Sequence, residues 1–264
     1  MNNPVLHISN LSKHFAISRK GMNMQRAEVL SSLHLIVERG QLNTILGSNG
    51  AGKTTLFNII SGFEECRRGE IMFYPAGRKP VNLLRLDASR RARAGIGRLL
   101  QGTSVFGNLN VEENILMAQK PVYAFGNLFD KTKHIAIEKK KIISKAADFL
   151  ANTGMDYAQS RNRKAASLSA ASQRLLAFAM LYVSEAELLL LDEPCSGIHH
   201  DQLPEIAEAL RMLLSEQKTV LLIEHNLDFV SMVPGTCHYL SEGKIRESGT
   251  TEDIIFMYKS EQGC

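Results

Sequence analysis

Short apolar runs alternate along the chain with segments in which apolar residues recur every three or four positions, a pattern that predicts strands separated by helices. VLHISNL and LHLIVERG predict two opening strands, the second ending in a turn at Gly40. Between them ISRKGMNMQRAE is polar, basic and aperiodic and predicts an exposed hairpin extension. QLNTILG reads as a short buried strand, followed by a glycine-rich turn and by TTLFNIISGF, apolar at helical spacing. GEIMFYP is strand-like, and RLDASRRARAGIG predicts a basic helical surface segment whose charges form a solvated face. From Val111 to about Ala151, VEENILMAQ and HIAIEKKKIISKAADFLANTG predict a helical insertion that stops at Gly154. ELLLLDEP and TVLLIEH predict buried parallel strands joined through the helical QLPEIAEALRMLLSEQ, each ending in polar chemistry. CHYLSEGKIRESG predicts a hairpin around Glu242 and Gly243.

Composition narrows this picture without naming a function. At 264 residues, 44% hydrophobic and 22% charged, the chain can bury a full core. A formal charge of +4 is too small and too dispersed to argue for nucleic acid. The cysteines Cys66, Cys195, Cys237 and Cys264 are far apart and form no CxxC pair, which suits free thiols in a reducing compartment. The N-terminal MNNPVLHISN lacks a signal pattern, and the longest apolar stretch, Leu175 to Val183, is far below the ~20 residues of a membrane span. A soluble protein able to dock on a membrane partner is expected.

The most specific signal is GSNGAGKT, which fits G-x-x-x-x-G-K-[ST] with a strand before it and a helix after it. Gly47, Ser48, Asn49, Gly50, Ala51 and Gly52 would curl so that successive N–H groups face phosphate oxygens; Lys53 would reach the β- and γ-phosphates, and Thr54, followed by Thr55, would ligate Mg²⁺. The apolar run ending in Asp192 and Glu193 matches a second nucleotide strand, with Asp192 holding Mg²⁺ through its water shell and Glu193 polarising the attacking water. On its own, this segment is also readable as a strand that ends in solvated acids. Gln101 and His225 fall where this architecture places γ-phosphate sensors, and Gln101 joins Thr54 and Asp192 in the metal set. Singly each could be a structural polar residue; as an ordered set they read as functional.

The order GSNGAGKTTLFNIISGF, GIGRLLQGTSVFGNLNVEENILMAQ, ELLLLDEPCSGI, LLIEHNLDFV and SEGKIRESGT resembles that of the ATP-binding subunits of ABC transporters over essentially the whole chain, above all those importing branched-chain amino acids and urea. The resemblance implies a RecA-like α/β P-loop ABC ATPase core, about 1–101 and 176–264, with an antiparallel β portion and an inserted α-helical subdomain, about 102–175. It implies ATP and Mg²⁺, adenine stacking on Phe15, permease partners, a second ATPase subunit, an indirectly engaged substrate-binding protein, and a cytoplasmic place on the inner face of the membrane. A lipopolysaccharide-type exporter, a non-transport ABC protein and a nucleotide-binding regulatory subunit are the competing readings.

LSAASQR occupies the place of the family signature, usually LSGGQ, which covers the nucleotide of the facing subunit. Ser169 keeps the hydroxyl, whereas Ala170 and Ala171 replace glycine positions and Ser172 replaces the usual glutamine or glutamate. Because alanine narrows both close approach and positive φ, a weakened signature is expected, with Ala171 impairing the partner's site. That implies a heterodimer. His199 stands where the family has an aspartate that communicates across the dimer. Adjacent His199 and His200 do not share a helix face and read as a solvated helix start.

Overall fold

Strands with no polar alternation must be covered on both faces, and the chain folds so that its apolar runs form the middle of one sheet. The structure is a computed structural model that describes residues 3–17, 25–100, 102, 105–118 and 128–262. In chain order the elements are β1 (Pro4–Ile17), β2 (Gln25–Glu38), β3 (Leu42–Leu46), α1 (Lys53–Ser61), β4 (Arg68–Phe73), β5 (Val81–Asn82), α2 (Ala88–Ala94) and β6 (Ile96–Leu99). There follow α3 (Val111–Met117), α4 (Leu128–Asn152), α5 (Tyr157–Ser160), α6 (Ala170–Val183), β7 (Leu188–Asp192) and α7 (Leu203–Ser215). The chain continues through β8 (Thr219–Ile223), α8 (Leu227–Met232), β9 (Thr236–Ser241), β10 (Lys244–Thr250) and α9 (Thr251–Gln262).

The fold divides into two compact units. The first comprises Met1–Arg98, Ala186–Glu193 and Gln217–Cys264, and holds most of a six-stranded sheet in the order β10-β9-β3-β8-β7-β6 together with a four-stranded sheet in the order β2-β1-β4-β5. β3 runs parallel to β8 and β9, and β8 parallel to β7, whereas β9 and β10 form an antiparallel hairpin. Every residue of β3, β7 and β8 is buried. Leu56, Phe57, Ile59 and Ile60 of α1 pack into the same core as Ile45, Leu190 and Leu221. A polar tie crosses this interior: the His238 ring lies 3.2 Å from Asn43 Oδ1 and 2.7 Å from Ser248 Oγ, linking β3, β9 and β10. Burial pushes His238 down to about 4, so the ring is neutral at pH 7.

The opening strands are longer than their apolar cores suggest. β1 continues to Ile17 and β2 begins at Gln25, so part of the polar ISRKGMNMQRAE is itself strand, paired across Phe15 and Ala27. An edge ladder tolerates polar side chains because its backbone hydrogen bonds do not depend on apolar alternation. The final hairpin turns at Glu242 and Gly243, both with positive φ (48° and 72°), the geometry that matches strand twist.

The second unit comprises Leu99–Glu185 and Pro194–Glu216 and is built from α3 to α7. Asn110 and Glu113 form a reciprocal capping box that starts α3, and Gly154, with φ 89°, follows α4. Phe149, Leu150, Leu176 and Phe178 supply its interior.

Candidate functional site

Three loops meet where the parallel strands of the first unit end. Sheet order places β8 between β3 and β7, so the loop after β3, the acids closing β7 and the histidine after β8 come from neighbouring strands at their C-terminal ends.

The loop after β3 is shaped by glycine. Gly50 and Gly52 hold φ of 81° and 106°, in the left-handed region. A Cβ on Gly52 would lie 2.8 Å from the Val29 carbonyl oxygen, and one on Gly47 would overlap the Leu240 carbonyl oxygen. Ser48, Asn49 and Gly50 are exposed, whereas Ala51 and Lys53 are buried. Lys53 Nζ donates to the carbonyl oxygens of Gly47 at 2.7 Å and Ser48 at 2.9 Å, folding the ammonium back on its own loop. Burial lowers its pKa, and the carboxylates of Glu193 and Asp192 act in the opposite direction. α1 starts at Gly52 with no side-chain cap and no acid in its first turn, leaving a positive helix end for an anion. Thr54 is exposed and Thr55 half-buried at that end.

At the end of β7, Asp192 is buried and Glu193 has φ 47°, an uncommon conformation for a side-chain-bearing residue outside Asn and Asp. The Glu193 N–H donates to the Ile223 carbonyl at 2.9 Å, so pairing with β8 continues past the strand end while the side chain turns aside. Glu193 Oε1 lies 3.2 Å from His225 Nε2. Thr54 and Asp192 offer a hydroxyl and a carboxylate, the oxygen-only donors a hard divalent cation such as Mg²⁺ prefers. Together with the uncapped helix, this set fits a metal-bound nucleoside phosphate.

Two residues of the site escape sequence reading. Glu224, buried between an apolar run and His225, accepts the backbone N–H groups of His225 at 2.8 Å and Asn226 at 3.1 Å and so fixes the turn presenting the imidazole. Arg98 donates from Nη2 to Asp192 Oδ2 at 3.1 Å. Burial raises the Asp192 pKa, and the Arg98 guanidinium draws it back. The available signal was an arginine inside the otherwise apolar IGRLL, since a buried arginine needs a partner. Phe15 is exposed rather than part of the core, with Lys13 Nζ 4.8 Å from its ring centre. Gln101 lies outside the described residues.

In the second unit, Ser169 caps α6: its Oγ accepts the Ser172 N–H at 3.1 Å and stands 2.9 Å from Ser172 Oγ. Ala170 and Ala171 belong to the first turn of α6 and have no positive φ, so this turn asks no left-handed residue of the chain. Ala170 is exposed and Ala171 is 3% exposed. Ala170, Gln173, Arg174, Ser196, Gly197 and Gly102 line one cleft of this unit. His199 and His200 are exposed at the start of the short turn before α7.

Residues 30–196 match the ABC transporter family model. The chain is 29% identical over 262 residues to the high-affinity branched-chain amino acid transport ATP-binding protein LivG of Escherichia coli, covering 96% of this chain and 94% of that protein. It is 29% identical over 268 residues to BraF of Pseudomonas aeruginosa, which has the same description, with the same coverage. Among solved structures, a nucleotide-free ATP-binding cassette from an ABC transporter superposes with a TM-score of 0.74 at 23% identity, covering 97% of this chain and 95% of that one. A dimeric cassette in a post-hydrolysis state, bound to ADP and phosphate, gives 0.71 at 20%, covering 93% and 98%.

Proposed function

The chain belongs to the ABC transporter family, with its RecA-like core and its ATPase activity, and from that premise we propose that it drives import of branched-chain amino acids, urea or a related small polar solute. The observation that carries the ATP-hydrolysing part of the proposal is the gathering of Lys53, Asp192, Glu193 and His225 at the ends of three adjacent strands. LivG and BraF, whose names give branched-chain amino acid transport, support an amino-acid substrate over a lipopolysaccharide.

In this reading the loop N–H groups and the α1 end bind the β- and γ-phosphates, and Lys53 exchanges its loop carbonyls for phosphate oxygens. Mg²⁺, held by Thr54, Asp192 and Gln101, would neutralise charge on those phosphates. Glu193 takes the proton of the attacking water at its carboxylate. The His225 imidazole, carried on the turn that Glu224 fixes, leaves Glu193 to hold the γ-phosphate. Phe15 offers an exposed face to adenine.

Ser169 and the α6 turn act on the nucleotide of a facing subunit. A sibling ATPase with a glycine-bearing signature is proposed as that subunit, with integral membrane permeases and a binding protein completing the complex on the inner membrane face. Among the described residues no helix is long and apolar enough to cross a membrane, so attachment would come through the permeases. The test is Glu193→Gln in the assembled transporter: ATP binding is retained and hydrolysis slows by at least about 10²-fold. Wild-type turnover would move the base elsewhere. Separate replacement of each subunit's loop lysine tests the asymmetry: loss of Lys53 should remove most turnover and loss of the sibling's lysine less, and equal losses would remove the unequal-site idea.

A further inference from the structure

Arg98 lies within β6 with its side chain only 8% exposed, and its guanidinium spans two elements of the first unit. Nη2 donates to Asp192 Oδ2 at 3.1 Å, and Nη1 donates to Asn58 Oδ1 at 2.8 Å and to Ser61 Oγ at 2.6 Å. The rings of Phe57 and Phe63 lie 6.0 Å and 5.4 Å from its central carbon, so the cation has two aromatic neighbours besides its side-chain acceptors.

The two α1 acceptors are not scattered along the helix. Thr54, Asn58 and Ser61 stand at i, i+4 and i+7, which places them on one stripe of α1. The lower two positions grip Arg98, Arg98 grips Asp192, and Thr54 heads the stripe. One rigid, planar cation thus bridges the helix that carries Thr54 to the strand end that carries Asp192.

We propose that Arg98 is a positioning residue that sets the spacing and orientation of Asp192 relative to Thr54, holding Oδ2 of the carboxylate so that Oδ1 serves the hydration shell of the divalent cation. This rests on the reading of Asp192 and Thr54 as the metal-directed pair. A lysine cannot take over the role, because an ammonium lacks the fork that reaches both elements at fixed geometry. Partners that orient a metal's ligands act on metal affinity more than on the bulk of ligand binding.

The experiment measures ATP affinity of the full chain by calorimetry, in EDTA and across a Mg²⁺ series, for the wild type, Arg98→Met, Arg98→Lys and Asn58→Ala. Arg98→Met should raise the Mg²⁺ concentration needed for half of the metal-dependent gain in affinity by about 10–100-fold, with the metal-free affinity changing least. Arg98→Lys should recover only part of that shift. Asn58→Ala, which leaves the ion pair in place, should shift in the same direction by less, and it carries the test if Arg98→Met does not fold. A Mg²⁺ dependence unchanged or moved to lower concentrations in both variants overturns the proposal, as does an equal loss of affinity with and without metal. If wild-type affinity ignores Mg²⁺, the metal reading of Asp192 falls and the role of Arg98 falls with it, whereas a metal response in the wild type that Arg98 variants share strikes Arg98 alone.

Discussion

The loop before α1 and the turn before α6 both lead a chain of polar or small residues into an apolar helix, yet they treat the helix start in opposite ways. At α1 the cap is Gly52 at φ 106°, without a side chain to bond the first-turn N–H groups. At α6 the cap is Ser169, whose hydroxyl already accepts one of them from Ser172. One helix start leaves its first-turn N–H groups to an outside anion; the other has one of them bonded by its own neutral hydroxyl. The difference teaches that small residues alone do not make a phosphate cradle, since the loop needs left-handed glycines to turn its N–H groups inward while the α6 turn folds with alanines in ordinary helical conformation.

The contrast can be pressed hardest at Lys53. Lys53→Ala should weaken ATP binding by at least about 10²-fold, the loss of two hydrogen bonds between charged groups, while the circular dichroism spectrum stays unchanged. An unaltered calorimetric affinity would remove the loop from nucleotide binding. Gly52→Ala should lower unfolding free energy by about 3 kcal/mol, because a Cβ there meets the Val29 carbonyl in a backbone conformation alanine disfavours; a fully stable variant would mean the loop does not depend on its left-handed glycine. Ser169→Ala should cost about 1 kcal/mol in denaturant unfolding, as for a lost helix cap. No change would show that α6 is as open as α1. The smallest effect separates the two alanines: Ala171→Gly should cost about 1 kcal/mol in the buried first turn, and exposed Ala170→Gly a few tenths. Under the proposed pairing with a facing subunit, glycine at both Ala170 and Ala171 should raise turnover at that subunit's site, and no change would mean that the turn tolerates alanine.

Much of this was legible in the chain because the chemistry is local. GSNGAGKT carries its strand, turn and helix within adjacent residues, and Asp192, Glu193 and His225 each close an apolar run, so strand position follows from the run itself. The hairpin at Glu242 and Gly243 is legible for the same reason. The bonds of Arg98 to Asn58, Ser61 and Asp192 were not, because they join residues 37 to 94 positions apart and arise only once β6 lies beside β7. Glu224 was hidden by its neighbour: a carboxylate at a strand end reads as solvated until its two backbone donors are seen. The self-capping of α6 is written in the chain only as a serine three residues before another polar residue at the head of an apolar run, a cap signal that the alanines between them obscure.

The position of β3 has a consequence for how the protein comes into being. Its hydrogen-bonded neighbours are β8 on one side and β9 on the other. A ribosome therefore releases the strand that bears the phosphate loop about 180 residues before either neighbour exists, a wait on the order of 10–40 s at ~5–20 residues per second. During that interval Leu42, Ile45 and Leu46 have no sheet to enter, and the nascent chain presents an apolar segment to chaperones rather than a loop to ATP. Nucleotide cannot guide the early steps of folding; it can only reward a chain whose final strands have been made.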